Sequence, residues 1–386
     1  MPRGKYLEQD EIMRNVVISG TGVFTPEETI TNSELVEAFN AYADQHNADN
    51  ADAIAAGDIE PLAHSSEEFI FKASGIEQRH VMDKAGVLDP HIMHPQLRQR
   101  DDGEMSIMTE MAVAAAQSAL AESDRTAADV DAVICAASNH ERAYPAIAIE
   151  IQDALGIDGF GFDMNVACSS ATFGIQAAAD MIRSGSANCI LMVNPEICSG
   201  HLEWRDRDCH FIFGDVCTAM VLEEKEQASS AIQYEILATR CLTQFSNNIR
   251  NNNGFLRRTR PDGVSDRRDM QFMQNGRQVF KQVVPIVSDL ITSHCAEEGV
   301  DATKLNRMWL HQANKSMNDF IGRKVLGRVP DPGEQPNILQ DYANTSSAGS
   351  IIAFSKYKDD LAKGDKGVIC SFGAGYSVGN VIVERV

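Results

Sequence analysis

One feature limits the fold of this chain more than any other: a segment that occurs twice. Ala112–Ser138 (AVAAAQSALAESDRTAADVDAVICAAS) lies over Val287–Ala313 (VSDLITSHCAEEGVDATKLNRMWLHQA) at a constant offset of 175 residues, without a gap. Each copy reads as helix, turn and strand. Ser169-Ser170-Ala171 then matches Ser346-Ser347-Ala348 at an offset of 177, and Cys189-Ile190 matches Val368-Ile369 at 179. A duplicated helix–strand unit stacks its copies about a pseudo-twofold axis, which gathers equivalent loops in one place. In the overlay Cys168 faces Thr345, beside Asn344, and His311 closes the duplicate of strand 130–137. Cys168, His311 and Asn344 are therefore expected to converge.

The rest of the chain fits an α/β architecture. Asn15–Phe24 (NVVISGTGVF) is a β-rich run whose Gly20-Thr21-Gly22 suits a strand exit and is too weak to claim a nucleotide. Thr31-Asn32 caps a helix carrying Leu35, Val36 and Phe39. Asn40–Ser66 is alanine-rich with poor periodicity, and reads as an inserted excursion. Glu67–His80 regains order. The Asp83–Gly103 stretch reads as a polar surface loop rather than a metal site, despite His91 and His94. The pattern then predicts helix 111–122, strand 130–137, helix 146–155 and strands at Cys189–Val193, Phe211–Asp215 and Thr218–Leu222. The expected halves are residues 15–228 and 229–386, the first with insertions at about 36–66 and 83–105.

Composition narrows the setting. The chain has 386 residues and is 44% hydrophobic, enough for a large core. Its nine cysteines are scattered without metal-site spacing, which points to a reduced, cytoplasmic protein. The charged N-terminus shows no signal peptide, and no apolar run is long enough to span a membrane. A net charge of −21 argues against nucleic acid.

Asn165-Val166-Ala167-Cys168-Ser169-Ser170-Ala171 concentrates the chemistry. It joins a strand-like approach (Phe160, Phe162, Met164, Val166) to a helix with Ala171, Ile175, Ala178, Ala179 and Ile182 on one face, stopped by Ser184-Gly185. Cys168 is expected in the first turn of that helix, where free N–H groups and the dipole stabilise a thiolate. Ser169 and Ser170 read as partners of helix-start N–H groups. Cysteine, histidine and asparagine together fit a papain-like protease, or acyl transfer with carbon–carbon bond formation. The α/β duplication and the absence of a papain-type CGxCW context favour the second. His140, His201 and His210 read as surface or satisfied histidines. Asp215 reads as a turn carboxylate, and Trp204 and Trp309 as packing residues.

The motifs NVACSSATFG around Cys168, LHQAN at 310–314, YANTSSAGS at 342–350 and SFGAGYSVGN at 371–380 resemble those of β-ketoacyl-acyl-carrier-protein synthase III, of the thiolase superfamily. Weaker matches at SGTG, SGIEQRH and IFGD fall in the same order. The resemblance implies a five-layered αβαβα thiolase-like fold with two duplicated halves, in a homodimer. It implies that Cys168 accepts an acyl group from acyl-CoA, within an oxyanion hole of its own N–H and that of Ala374, in the Gly373-Ala374-Gly375 loop. His311 and Asn344 would bind the malonyl thioester carbonyl, and Phe372 would shield the departing carboxylate. Arg207 and Phe69, the latter where the family has tryptophan, would stack on the CoA adenine, while Ala73 replaces a family arginine. Tyr144 would reach the end of the partner's acyl channel. Malonyl-acyl carrier protein would be the second substrate, and no cofactor or metal is implied.

Between Arg240 and Lys281 nine basic residues (240, 250, 257, 258, 260, 267, 268, 277, 281) stand against Asp262, Asp266 and Asp269. Lys281, Arg257 and Arg258 are the expected carrier-docking residues. The two insertions either deepen or re-route the acyl channel, which would favour a primer longer than acetyl, or are a surface elaboration without contact to it. Alternatives within the superfamily are a hydroxymethylglutaryl-CoA synthase-like enzyme using Glu141 as base, a quinolone-type synthase and a head-to-head condensing enzyme. A non-catalytic acyl-binding module is the alternative outside it.

Overall fold

The computed structural model describes residues 14–259 and 268–386. Nine strands form one hydrogen-bonded sheet: β1 (Val16–Phe24), β2 (Ala132–Ala136), β3 (Phe160–Met164), β4 (Cys189–Ile197), β5 (Asp215–Glu224), β6 (Tyr234–Ser246), β7 (Arg307–Leu310), β8 (Lys366–Gly373) and β9 (Gly375–Arg385). Their order is β7-β8-β9-β6-β1-β5-β4-β2-β3. Within the sheet the two wings join at β1 and β6, through Val17 opposite Glu235 and Ile18 opposite Tyr234. β2 runs parallel to β3 and β4, and β7 parallel to β8, as helix-connected strands must.

Eight helices bear on the site: α1 (Asn32–Asp49), α2 (Glu67–Ser74), α3 (Ile107–Glu122), α4 (Ile147–Leu155), α5 (Ser170–Arg183), α6 (Gly276–Glu297), α7 (Lys315–Leu326) and α8 (Gly349–Lys356). Three apolar clusters give the layering. Helices α3 and α4 cover the outer face of β2, β4 and β5 through Met111, Ala115, Ala119, Ile147 and Ile151. Helices α6 and α7 cover β7, β8 and β9 through Val283, Val287, Ile291, Ile321 and Val325. Between the wings, α5 and α8 share one core with strands of both, including Ile175, Ile182, Ile351, Phe354, Ile190 and Ile369. The result is the expected five-layered αβαβα stack. The stripe read from the sequence is the buried face of α5, because that helix is enclosed on opposite sides. Trp204 and Trp309 are fully buried.

Three expectations need correction. The segment from residue 40 is not without regular structure. A Thr31–Glu34 capping box starts α1, which continues to Asp49, and a further turn of helix spans Ala51–Ala56. Phe211–Gly214 is not a strand: Phe213 makes an isolated bridge to Asn344, and the regular strand begins at Asp215. Ser169 does not bond a helix-start N–H but donates to Ser377 O, and Ser170 Oγ accepts from Val166 N.

A fourth apolar cluster joins α1, α2 and the loop 198–213, and both insertions belong to it. Asn40 pairs with the backbone of Ser65, and Asn47 with that of Leu62. Arg205 donates to His91 O and Ile92 O from the second insertion. Among the described residues, no helix is long and apolar enough to cross a membrane.

Candidate active site

Cys168 lies two residues before α5 rather than in its first turn. The chain turns sharply there: Ala167 has φ +48°, and Ser169 N and Ser170 N bond back to Val166 O and Ala167 O. Ser170 Oγ donates to Ala167 O at 2.7 Å, closing the turn. Burial pushes the thiol up to about 11, outweighing the helix-terminal donors expected to hold a thiolate. The N–H groups of Cys168 and Ala374 and the Ser346 hydroxyl pull the other way. Ser346 Oγ donates to Cys168 Sγ at 3.5 Å.

His311 follows β7, with its N–H on Cys370 O and its carbonyl accepting from Asn318 Nδ2 at 2.9 Å. Its ring stands edge-on to Phe372, with centroids 5.2 Å apart. Burial lowers its pKa to about 4, partly opposed by the Ser346 backbone, so the ring is neutral at pH 7. Asn344 is held by its backbone to Ile212 O and Gly214 N. Its Oδ1 accepts from Ser346 N at 2.9 Å, which leaves the amide NH₂ as the group it offers. Thus the site contains a protonated thiol, a neutral imidazole and an oriented amide.

These groups meet in a cavity of about 520 Å³, lined by Cys168, His311, Asn344, Phe372 and Gly373 together with the apolar Phe211, Ile212, Val279, Phe280, Val283 and Met317. Gly373 is required by space: a Cβ there would lie 2.6 Å from Cys168 Cβ. Gly375 opens β9 at φ +128°, a conformation glycine adopts without strain. The apolar second-wing residues Val279, Phe280, Val283 and Met317, and Ser346, are not signalled by residue type. Ser346 is traceable only through the repeat, where it duplicates Ser169.

The remaining expected residues fall elsewhere. Arg207 lies flat on Phe69, its guanidinium 3.9 Å from the ring centroid, and donates to His64 O from the first insertion. No aromatic layer fits between the two, so an adenine here would stack outside the pair. Phe69 reaches the cavity only through an edge contact with Phe211. None of residues 36–66 or 83–105 is among the residues lining the cavity, which favours the surface elaboration of the two alternatives. Tyr144 is 85% exposed and contributes nothing to its own chain's cavity. Glu141 accepts from Met108 N at the start of α3 and does not line the cavity either.

The basic stretch is also smaller than its sequence. Arg257 is 8% exposed and ion-paired with Asp269 at 2.5 Å, so it is a buried structural cation rather than a docking residue. Arg240 pairs with Glu297, and Arg268 with Asp206. Arg260, Asp262, Asp266 and Arg267 lie outside the described residues, as does the side chain of Arg258. Lys281 sits on α6, exposed, next to Phe280.

The histidines behave as read. His210 bonds Ser65 and stacks on Phe39, and His201 meets Asn139. Asp215 accepts from Met82 N, Ser199 N and Ser199 Oγ, a structural carboxyl. Cys135, His140 and Asp163 lie close enough together to suggest a metal, but both Asp163 oxygens already accept N–H groups at the start of α4.

A buried thiol beside two backbone N–H donors, a neutral imidazole and an amide, in a duplicated five-layered frame, defines a thiolase-type condensing acyltransferase. Two family models match: 3-oxoacyl-[acyl-carrier-protein (ACP)] synthase III over residues 162–240, and its C-terminal part over 295–385. A β-ketodecanoyl-[acyl-carrier-protein] synthase of Pseudomonas aeruginosa is 57% identical over 350 residues, covering 91% of this chain and 100% of the relative. A β-ketoacyl-[acyl-carrier-protein] synthase III of Mesorhizobium japonicum is 31% identical, over 85% and 93% of the two chains. The crystal structure of the Aquifex aeolicus 3-oxoacyl-[acyl-carrier-protein] synthase III superposes with a TM-score of 0.74 at 23% identity, covering 96% and 99%. The chain belongs to the β-ketoacyl-acyl-carrier-protein synthase III family.

Proposed function

We propose that this enzyme joins an acyl-CoA primer to malonyl-acyl carrier protein, releasing CoA and CO₂ and leaving a 3-oxoacyl-acyl carrier protein. The observation that carries this reading is the meeting of Cys168, His311 and Asn344 in one cavity, with the Ala374 N–H beside the sulfur. Cys168 Sγ attacks the primer thioester, the carbon–sulfur bond to CoA breaks, and the thiol proton ends on the CoA sulfur. The N–H groups of Cys168 and Ala374 stabilise the oxyanion. Malonyl then loses CO₂ beside Phe372. The electron pair stays as an enolate whose oxygen is held by donors from His311 and the Asn344 amide. The enolate carbon attacks the acyl carbonyl, the bond to Sγ breaks, and the thiolate regains a proton. Decarboxylation supplies the carbanion, so the cycle uses no cofactor.

The 57% identical relative is named for a β-ketodecanoyl product, which corresponds to an eight-carbon primer extended by two carbons. This supports a medium-chain primer here, as does the apolar lining of the cavity. Arg207 and Phe69 form an outer platform for the CoA nucleotide. Carrier docking falls to Lys281 and Arg258. A homodimer is the proposed state: Tyr144, Ile149 and Phe160 are exposed around the sheet-edge strand β3, and in that assembly Tyr144 serves the partner. Nine free thiols accord with a cytoplasmic setting. The two-half division at about residue 228 is part of the same reading.

Activity against an even-chain acyl-CoA series, with malonyl-acyl carrier protein as extender, tests it. Each methylene buried in an apolar channel contributes up to ~0.8 kcal/mol. The expected kcat/KM maximum is near octanoyl, by orders of magnitude over acetyl. A maximum at acetyl-CoA removes the medium-chain assignment, and no condensation with any primer removes the reading.

A further inference from the structure

Glu196, near the end of β4, is 1% exposed and belongs to none of the groups assigned a chemical role above. Its carboxyl joins the two wings. From the first, Ser138 donates its N–H at 3.0 Å and its hydroxyl at 2.5 Å. From the second, Ser347 donates its N–H at 3.2 Å and its hydroxyl at 2.5 Å. The residues just before Ser347 are those that face the nucleophile: Ser346 Oγ lies on Cys168 Sγ, and Ser346 N fixes the Asn344 amide. We infer that Glu196 is a positioning residue for the condensation half-reaction, clamping Ser347 so that the Asn344–Ser346 turn presents its amide to the malonyl carbonyl. This rests on the condensing function proposed above.

The clamp is also sensitive to protonation. Burial raises the Glu196 carboxyl to about 7, against the pull of its four hydrogen bonds. The titratable groups that feel its charge are the thiols of Cys135, Cys168, Cys198 and Cys217, with Cys198 Sγ 3.8 Å from Oε2 and Asp215 facing Cys198. Ionised, the carboxylate accepts from both serines and from the Cys198 thiol. Protonated, it must itself donate to a serine hydroxyl, and Ser347 Oγ has Ala136 O, 3.3 Å away, as the acceptor to turn to. Loss of ionisation therefore replaces charge-assisted bonds by weaker neutral ones, on Ser347 as on Ser138. Condensation should gain a limb with its midpoint near pH 7, whereas the pH dependence of acyl loading should follow the Cys168 thiol, raised to about 11, with no break near 7.

The test separates the half-reactions in Glu196→Gln. Trapping of labelled acyl-CoA on Cys168 should stay within about threefold of wild type. Condensation kcat should fall on the order of tenfold to a hundredfold, less than the roughly 10²–10³-fold cost of removing an oxyanion donor outright, with little change in KM. The limb near pH 7 should flatten. Ser347→Ala, which keeps the backbone N–H bond and loses one hydroxyl, should show the same pattern more weakly, and decides the matter if Glu196→Gln does not fold. Parallel losses in loading and condensation, or wild-type condensation with an unchanged pH profile, would overturn the inference. If wild type loads but does not condense, the proposed function fails and the inference with it.

Discussion

The two turns that meet at the site are copies of one design, and they are secured by different means. In the first, Ala167-Cys168-Ser169-Ser170 is closed by neutral groups: Ser170 Oγ reaches Ala167 O at 2.7 Å and Ala137 O at 3.3 Å. In the second, Ser347 duplicates Ser170 and likewise reaches the end of β2, at Ala136 O, but it also grips a buried carboxyl. The nucleophile's turn therefore carries no fixed charge of its own, and the amide's turn is tied to a group that titrates. Duplication supplied a frame in which one copy became reactive and the other became a mould for a second carbonyl.

The comparison breaks most completely at Cys168. Cys168→Ala should leave no acyl-enzyme and lower turnover by about 10⁴-fold or more, in the range seen when a nucleophile is removed. Label retained on this variant would mean that another residue is acylated. Gly373→Ala strikes the first turn, because the new Cβ would fall 2.6 Å from Cys168 Cβ and must displace it, and Cys168 serves both half-reactions. A nucleophile moved by ~1 Å loses about a hundredfold, and here loading and condensation should fall in parallel. Near-wild-type loading would show that the contact relaxes without moving Cys168.

A gentler probe concerns the resting thiol. Its pKa is raised by burial to about 11, so the thiolate fraction at pH 7 is small and grows about tenfold per pH unit. The alkylation rate of Cys168 should rise roughly a hundredfold from pH 7 to 9. A plateau beginning near pH 7 would mean a preformed thiolate–imidazolium pair, and His311 would then be charged rather than neutral.

The frame and the reactive triad were legible because both rest on repetition and residue type: the 175-residue offset locates His311, and the 177-residue offset puts Thr345 opposite Cys168, with Asn344 beside it. What was not legible depends on burial. An isolated glutamate such as Glu196 looks like any surface acid until its carboxyl is found bonded to both Ser138 and Ser347. Arg257 counts as a surface cation until Asp269 is found beside it. The thiol's high pKa has the same origin, since a helix start favours a thiolate only where the group is not fully desolvated. The helix beyond residue 40 was missed because its many alanines favour helix without marking a buried face.

The central claim is a division of labour: Cys168 alone accepts the acyl group, and His311 and Asn344 act only on the malonyl carbonyl. His311→Ala tests it most directly. The purified variant is incubated with radiolabelled acyl-CoA, the hydroxylamine-labile label on protein is counted, and malonyl-acyl carrier protein is then added. The account predicts stoichiometric label close to wild type and condensation reduced about a hundredfold or more, with Asn344→Ala behaving alike. Failure of His311→Ala to take up label would contradict it, and would make the histidine the base for Cys168.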